Sequence, residues 1–195
     1  MIKRTFDCFS SFIGLIILLP LLIFVSLAIK IGSSGPIFFS QKRVGKDGKL
    51  FTLVKFRSMT VQQDSYSTST ARGDVRITKI GAFLRKYKLD ELPELWNVVM
   101  GEMSLVGPRP DVSGYADSLK GTDRNMLKLR PGITGSASLK YANEEEILAA
   151  QEDPQKYNDE VIFPDKVKVN LEYYENQSLW LDIKIIFATI FRTSY

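Results

Sequence analysis

The chain has 195 residues, with 26 Lys and Arg against 22 Asp and Glu and a formal net charge of +4. It contains no histidine and one cysteine, Cys8, which excludes a Ser-His-Asp triad, a histidine-ligated zinc site and a disulfide within the chain. Any catalysis must therefore rest on carboxylates, Lys, Arg, Tyr, Ser or a bound hard cation, and the basic balance suits an anionic membrane surface, a phosphate-bearing substrate or nucleic acid.

An uncharged apolar segment covers residues 8–29. As a helix it is about 33 Å long, enough to span the hydrocarbon core of a bilayer. Pro20 lies inside it, and proline kinks or breaks a helix. The flanking basic residues are Lys3 and Arg4 before the segment and Lys30, Lys42, Arg43, Lys46 and Lys49 after it. Because positive flanks favour the cytoplasmic side, we expect a re-entrant helix-break-helix over residues 1–31, with a kinked spanning helix as the alternative, and a soluble domain over 32–195.

The soluble part alternates short apolar runs with turn signals. Residues 37–44 and 50–56 predict two strands, and the Gly45–Gly48 link predicts a hairpin. Residues 60–73 are polar and predict a loop. Helices are expected at about 78–87, 90–100, 143–151, 164–175 and 178–192, with loops at 104–114 and 130–135. The predicted fold class is mixed α/β and mostly helical, with one small β-hairpin.

The last predicted helix, at 178–192, is apolar over most of its surface. One interpretation is a helix that packs in the core. The other is an amphipathic helix that lies in the membrane interface, anchored by Trp180. Both remain open at this point.

Asp90 and Glu91 are adjacent carboxylates at a predicted helix start, directly after a segment whose only charges are basic. Acids at a helix start are common, because they offset the helix dipole. The basic neighbours favour a second interpretation. Adjacent carboxylates can hold Mg²⁺ together with substrate phosphates, a carboxylate can act as a nucleophile, and Arg and Lys can neutralise a phosphoryl group.

A second basic cluster covers residues 42–57, and two further arginines, Arg109 and Arg130, lie in the Gly/Pro-rich stretches VGPRP and RPGITG. A rigid backbone beside an Arg suits phosphate capture. No Walker A or dinucleotide motif is present, and the chain cannot form a zinc finger.

These residues carry a resemblance to a family. The chain resembles the monotopic phosphoglycosyl transferases, also called bacterial sugar transferases, at the size of members that carry only the catalytic domain. The matching stretches are KFRSM at Lys55–Met59, the segment Arg76–Pro110, which contains LDELPELWN and VGPRP, and LRPGITG at Leu129–Gly135.

The resemblance implies a bacterial inner-membrane enzyme on the cytoplasmic face. It would move a phosphosugar from a nucleoside diphosphate sugar, such as a UDP-sugar, to polyprenol phosphate, with Mg²⁺ as cofactor, membrane lipids as surroundings and no nucleic acid partner. Asp90 would be the nucleophile that carries a covalent phosphosugar, and Glu91 would assist it in acid/base or metal work. The residues that would contact phosphates are Lys55, Arg57, Arg85, Arg109 and Arg130.

One position departs from the family. The membrane break is typically Ser-Pro, whereas this chain has Leu19-Pro20 and lacks the serine hydroxyl. A hypothesis from another class is a membrane-anchored binding or scaffold protein, in which Asp90 and Glu91 only cap a helix. An Asp90→Asn substitution separates the two, because Asn caps a helix about as well as Asp.

Overall fold

The computed structural model describes residues 2–60, 76–191 and 193. The described part of the chain is mostly helical (62%), as predicted, and it contains two small sheets of two strands each. The predicted loop at 60–73 lies outside the described residues apart from Thr60. In chain order the elements are α1 (Ile2–Gly32), β1 (Phe38–Val44), β2 (Leu50–Phe56), α2 (Lys79–Lys86), α3 (Glu94–Met100), β3 (Ser104–Val106), β4 (Gly132–Thr134), α4 (Ser136–Lys140), α5 (Glu144–Ala149), α6 (Pro154–Tyr157), α7 (Phe163–Asn176) and α8 (Leu179–Phe191).

Helix α1 contains the apolar segment, and within the described ranges it is the one helix long and apolar enough to cross a membrane. It runs through Pro20 without interruption, so the predicted break is not confirmed. Proline lacks an amide hydrogen and removes one hydrogen bond from the helical ladder, while the turns on either side keep theirs.

Both ends of α1 pack against the same soluble body. Near the first end, the Arg4 guanidinium donates to the carbonyl oxygen of Val98 in α3 at 2.6 Å. Near the other end, Ile29 lies in a buried apolar cluster with Phe56 of the hairpin and Leu84 of α2. Between these contacts the helix exposes large apolar side chains: Phe12, Ile13, Ile16, Ile17, Leu19, Ile23 and Phe24.

A buried polar network joins α1 to the C-terminal helix. Lys3 Nζ donates to Asp182 Oδ2 of α8 at 2.6 Å, and the Tyr173 hydroxyl donates to the other carboxylate oxygen of Asp182. One turn along α1, Asp7 accepts a hydrogen bond of 2.6 Å from the Ser104 hydroxyl in β3. These bonds hold β3, and the chain that leaves it, against the two helices.

Helix α8 has two different faces. Asp182, Ile185 and Ala188 are buried, whereas Trp180 and Phe187 are 66% and 57% exposed. One side of the helix therefore packs in the core, as the first interpretation predicts. The exposed apolar side leaves the membrane-interface interpretation a prediction.

The predicted hairpin is confirmed. Strands β1 and β2 pair antiparallel, with Phe38 opposite Phe56 and Val44 opposite Leu50. The turn between them contains a short 3-10 helix at Lys46–Gly48. This hairpin places every second side chain of β2 against α3.

The prediction of a single helix over 90–100 is wrong in its first residues. The chain forms a 3-10 turn at Leu89–Glu91, and α3 begins only at Glu94, after Pro93. Proline has no amide hydrogen, and it loses nothing at the start of a helix, where the amide groups have no partner within the helix.

The predicted loops at 104–114 and 130–135 each contain a three-residue strand. β3 and β4 pair in parallel, with Ser104 opposite Gly132 and Val106 opposite Thr134. Strands of three residues are too short to show a sequence period, which is why the pattern did not indicate them. The pairing brings the VGPRP and RPGITG stretches side by side.

Hairpin and α3 share one core. Phe51, Leu53, Val98 and Met103 form a buried apolar cluster between them. Asn97 of α3 adds polar bonds, because its side chain accepts from a β2 amide at 3.1 Å and donates to a β2 carbonyl at 2.8 Å. The start of α3 is thereby held over the end of β2.

Candidate active site

The candidate site forms where three segments meet: the end of β2, the 3-10 turn before α3, and the VGPRP segment after β3. Lys88 adopts a left-handed backbone conformation, with φ of 57°, and starts the 3-10 turn that carries Asp90 and Glu91. A left-handed residue here reverses the chain sharply between α2 and the turn. The two carboxylates therefore stand at a corner rather than along a helix.

Glu91 is buried and paired with two cations. Arg109 Nη2 lies 2.5 Å from Glu91 Oε1, and Lys55 Nζ lies 2.9 Å from the same oxygen. Burial alone would raise the pKa of Glu91, but Arg109 and Lys55 outweigh it and hold the pKa well below its usual range. Glu91 therefore stays negatively charged near neutral pH. It is suited to bind cations and not to exchange protons.

Lys55 also contacts a third carboxylate. Its ammonium lies 3.0 Å from Glu94 Oε1, and the Glu94 side chain is 3% exposed. Burial raises the pKa of Glu94 to about 7, and the nearby Glu91 charge adds to this, although Lys55 opposes both. The sequence analysis did not select Glu94. The available signal was its i,i+3 spacing from Glu91, which places two residues on one side of a helical turn.

Asp90 is the carboxylate that lacks a strong partner. Its Oδ1 atom is buried and has no hydrogen-bond partner among the described residues. Burial and the neighbouring Glu91 charge raise the pKa of Asp90, against the opposing effect of Lys55, Lys88 and Arg85. An unpaired, partly desolvated carboxylate oxygen is a competent nucleophile and a competent ligand for a hard cation.

The remaining predicted phosphate-binding arginines have different surroundings. Arg85 is close enough to Asp90 to influence its pKa, and its guanidinium pairs with Glu145 of α5 at 2.8 Å. Arg57 is buried and donates to the carbonyl oxygens of Ser33 and Ser34, just after α1.

Arg130 lies at the other end of α3. Its Nε donates to the Gly101 carbonyl oxygen at 2.9 Å, directly after the helix. Of the predicted set, the structure thus gathers Lys55, Arg109 and Arg85 near the dyad. Arg57 and Arg130 are bound to backbone carbonyl groups, and their predicted contact with phosphate stays a prediction.

The carboxylates of Asp90 and Glu91 could bind Mg²⁺ if substrate phosphates supply further oxygen ligands. No cluster of three or more His, Cys, Asp or Glu side chains that could hold a metal exists within residues 2–60 and 76–191. Asp90 and Glu91 supply two adjacent carboxylates, and Asp90 Oδ1 lacks a partner. Mg²⁺ commonly uses one or two carboxylates and takes further oxygens from substrate phosphates and water. A site that is completed by substrate is therefore compatible with these residues.

A family described as bacterial sugar transferase matches residues 1–194. The chain is 37% identical, over 97% of its length, to a UDP-glucose:undecaprenyl-phosphate glucose-1-phosphate transferase of Klebsiella pneumoniae, of which it covers 39%. It is 36% identical, also over 97% of its length, to a UDP-N-acetylgalactosamine-undecaprenyl-phosphate N-acetylgalactosaminephosphotransferase of Aeromonas hydrophila, of which it covers 43%.

A relative of similar length is also found. The exopolysaccharide production protein PSS of Rhizobium leguminosarum bv. phaseoli is 38% identical over 97% of this chain and 93% of its own length. The chain thus spans about two fifths of the length of several curated relatives and nearly all of another.

Proposed function

The chain belongs to the bacterial sugar transferase family, and on this premise we propose that it transfers a phosphosugar from a nucleoside diphosphate sugar to polyprenol phosphate. The names of two relatives support UDP as the nucleotide of the donor and undecaprenyl phosphate as the acceptor. Those two names differ in the sugar, so the proposal covers UDP-linked hexoses and N-acetylhexosamines as a class.

One observation carries the proposal. A carboxylate oxygen of Asp90 is buried without a hydrogen-bond partner in the part of the chain that the structure describes. It is directly beside Glu91, whose carboxylate pairs with Arg109 and Lys55. Helix capping needs neither the burial of Asp90 nor the two cations on its neighbour. Phosphoryl transfer needs a carboxylate oxygen that is free to attack one phosphate. It also needs cations that stabilise the negative charge on the other phosphate.

The first step forms a covalent intermediate. An Asp90 carboxylate oxygen attacks the sugar-linked phosphorus, and the bond from that phosphorus to the bridging oxygen breaks. Nucleoside monophosphate leaves with the bonding electron pair. Arg85 lies beside Asp90 and is suited to stabilise the phosphoryl oxygens in this step.

The second step returns the enzyme to its resting form. An oxygen of polyprenol phosphate attacks the same phosphorus, the bond to Asp90 breaks, and a diphosphate-linked sugar lipid leaves. Dividing the transfer in two means that the anionic donor and the anionic acceptor use the site in turn. Their mutual repulsion, which is large where water is excluded, is then avoided.

Mg²⁺ is proposed as cofactor, held by Asp90 and Glu91. When bound it supplies positive charge to the donor diphosphate and so favours departure of the nucleoside monophosphate. The low pKa of Glu91 means that this carboxylate remains anionic, and able to bind a cation, throughout the neutral range.

The membrane arrangement is proposed to be monotopic, with residues 1–31 in one leaflet and 32–195 as the catalytic domain on the cytoplasmic face. Contacts at both ends of α1 support it, because Arg4 and Ile29 touch the same soluble body. A helix that crossed the membrane would separate its ends by the bilayer. Exposed aromatic side chains on α3 and α8, such as Trp96 and Trp180, suit the headgroup region.

The test is a turnover assay on the purified, detergent-solubilised chain. A panel of UDP-sugars is offered with and without undecaprenyl phosphate, and release of uridine monophosphate is measured. Without acceptor, intact-protein mass spectrometry should detect one phosphosugar adduct on Asp90, and the full reaction should follow ping-pong kinetics.

The matched variants are Asp90→Asn and Asp123→Asn. Asp123 is an exposed carboxylate on a separate 3-10 segment, so its loss changes charge equally without touching the dyad. Asp90→Asn should abolish the adduct and turnover, while Asp123→Asn keeps both. Normal turnover by Asp90→Asn, or kinetics that require a ternary complex, would contradict the covalent mechanism.

A further inference from the structure

A cationic pocket lies beside the dyad on the hairpin side. It is a small, open cleft with a cavity volume of about 20 Å³, and it is lined by Arg43, Leu53, Lys55, Glu94, Arg109 and Pro110. Lys55 and Arg109 are the two cations that already hold Glu91. Arg43 is the third, and the sequence analysis noted it only as part of a basic cluster.

Arg43 is held firmly but without a carboxylate. Its Nε and Nη2 donate to Gln41 Oε1 at 3.2 and 2.7 Å, and its Nη1 donates to the Pro110 carbonyl oxygen at 3.2 Å. Among the described residues these bonds use three of the five N–H groups of the guanidinium, and no carboxylate lies within ion-pair distance. All these acceptors are neutral, and the carboxylates of Asp111 and Glu94 act on Arg43 only from beyond ion-pair distance.

The pocket therefore has an excess of positive charge. Lys55 and Arg109 share the charge of Glu91, and Glu94, whose pKa burial raises to about 7, is only partly ionised near neutral pH. Burial first, and then the like charge of Arg109, lower the pKa of Arg43. Two guanidinium groups that repel each other across a pocket are a favourable environment for an anion.

The position of Arg43 indicates which phosphate of the donor it would bind. Arg43 lines the pocket together with Lys55 and Arg109, whereas Asp90 and Arg85 are not among its lining residues. Lys55 and Arg109 contact Glu91, the residue that follows Asp90. A phosphate bound at Arg43 is then a neighbour of the attacked phosphate and not the attacked phosphate itself.

We propose that Arg43 binds the nucleotide-side phosphate of the donor, the group that leaves as nucleoside monophosphate. This inference rests on the proposed function and adds a residue to it. As the bond to the bridging oxygen breaks, negative charge grows on the departing phosphate. Arg43 and Arg109 stabilise that charge. The acceptor lipid enters after that phosphate has left, so Arg43 has no part in the second step.

The experiment separates the two half-reactions in the full chain. Arg43→Gln removes the charge, Arg43→Lys keeps it, and Lys42→Gln is the matched control. Lys42 is the neighbouring strand residue; it is exposed and its ammonium bonds only to the Thr52 hydroxyl, at 2.9 Å, among the described residues. Adduct formation is timed with donor alone, and adduct discharge is timed by adding undecaprenyl phosphate to preformed adduct.

Arg43→Gln should slow adduct formation by about tenfold to a hundredfold, as expected for losing a charged hydrogen bond to phosphate. Inhibition by uridine monophosphate should weaken by a similar factor. Discharge of the adduct should stay within about twofold of the wild type, and Arg43→Lys should retain part of the first-step rate. Lys42→Gln should match the wild type in both steps.

Three outcomes would overturn the proposal. Unchanged inhibition by uridine monophosphate in Arg43→Gln removes the binding role, and selective slowing of discharge assigns the pocket to the acceptor phosphate. Equal slowing of both steps indicates a structural role. If Arg43→Gln does not fold, Gln41→Ala tests the same point, because it loosens the guanidinium but keeps its charge. Failure of the wild type to form any adduct contradicts the proposed function instead.

Discussion

Replacing Lys55 by Met tests whether charge compensation holds the site together. The Lys55 ammonium lies 2.9 Å from Glu91 and 3.0 Å from Glu94, and its side chain is 17% exposed. Glu91 keeps Arg109 as a partner in the variant, whereas Glu94 loses the one cation in ion-pair contact with it among the described residues. The loss of folding stability in the variant should therefore come mainly from Glu94, which is left buried without a cation.

The magnitude follows from the position of Glu94. Its pKa of about 7 against an ordinary 4.5 corresponds to roughly 3 kcal/mol, at about 1.4 kcal/mol per unit. A carboxyl with a raised folded-state pKa contributes stability below 4.5 that is lost as the pH rises through 7. Removing Lys55 raises that pKa further. At pH 8 we expect a loss of about 3–5 kcal/mol, and at pH 5.5, where Glu94 is protonated, about 1–2 kcal/mol.

The assay is thermal unfolding of the detergent-solubilised chain at pH 5.5 and pH 8. One kcal/mol corresponds to about 2–4 °C for a domain of this size, so a loss of about 3–5 kcal/mol at pH 8 should lower the melting temperature by roughly 6–20 °C. The double variant Lys55→Met/Glu94→Gln should recover about half of it, and Lys42→Met should change little. An equal loss at the two pH values, or no recovery with Glu94→Gln, would refute the reasoning.

Three further outcomes are expected. Gly81→Ala should destabilise the chain by about 1–3 kcal/mol in a denaturant titration, because the new Cβ would lie 1.9 Å from the Ser58 carbonyl oxygen. This loss is expected although alanine favours helices. The control Gly14→Ala should be neutral, because its new Cβ meets only a side chain, at 3.6 Å. Arg57→Lys should lower the melting temperature by roughly 2–8 °C, because one ammonium cannot replace the guanidinium contacts to Ser33 and Ser34. Excess chelator should abolish adduct formation and added Mg²⁺ should restore it, whereas full activity in chelator would argue against the cofactor.

The sequence pattern was sufficient for elements whose information is local. The hairpin was predicted from two apolar runs and a glycine-bounded turn, and α2 from Thr78, whose hydroxyl accepts from the Gly81 amide at 2.9 Å. The parallel pairing of β3 with β4 was not predicted, because it joins segments almost thirty residues apart that are each too short to show a period.

The site shows the same division. Adjacency and basic surroundings indicated Asp90 and Glu91, and the resemblance to the family added Lys55 and Arg109 as phosphate contacts. The fold brings Lys55 and Arg109 together at Glu91. The pattern could not indicate that Lys55 bridges to Glu94, since such a contact depends on how α3 lies over β2. Residue type gives the charge of a side chain, but tertiary packing decides its partner.

The bond between Lys3 and Asp182 has a consequence for the order in which the molecule assembles. These residues are 179 positions apart in the chain, so the contact forms only after α8 has been synthesised. Until then α1 contacts α3 at that end, through Arg4 and Val98, but it lacks its bond to α8, and its exposed apolar surface requires lipid or a chaperone. Contacts of such large sequence separation also slow folding. Deleting α8 should therefore leave a chain whose N-terminal helix is bound to membrane but whose soluble body does not close over it.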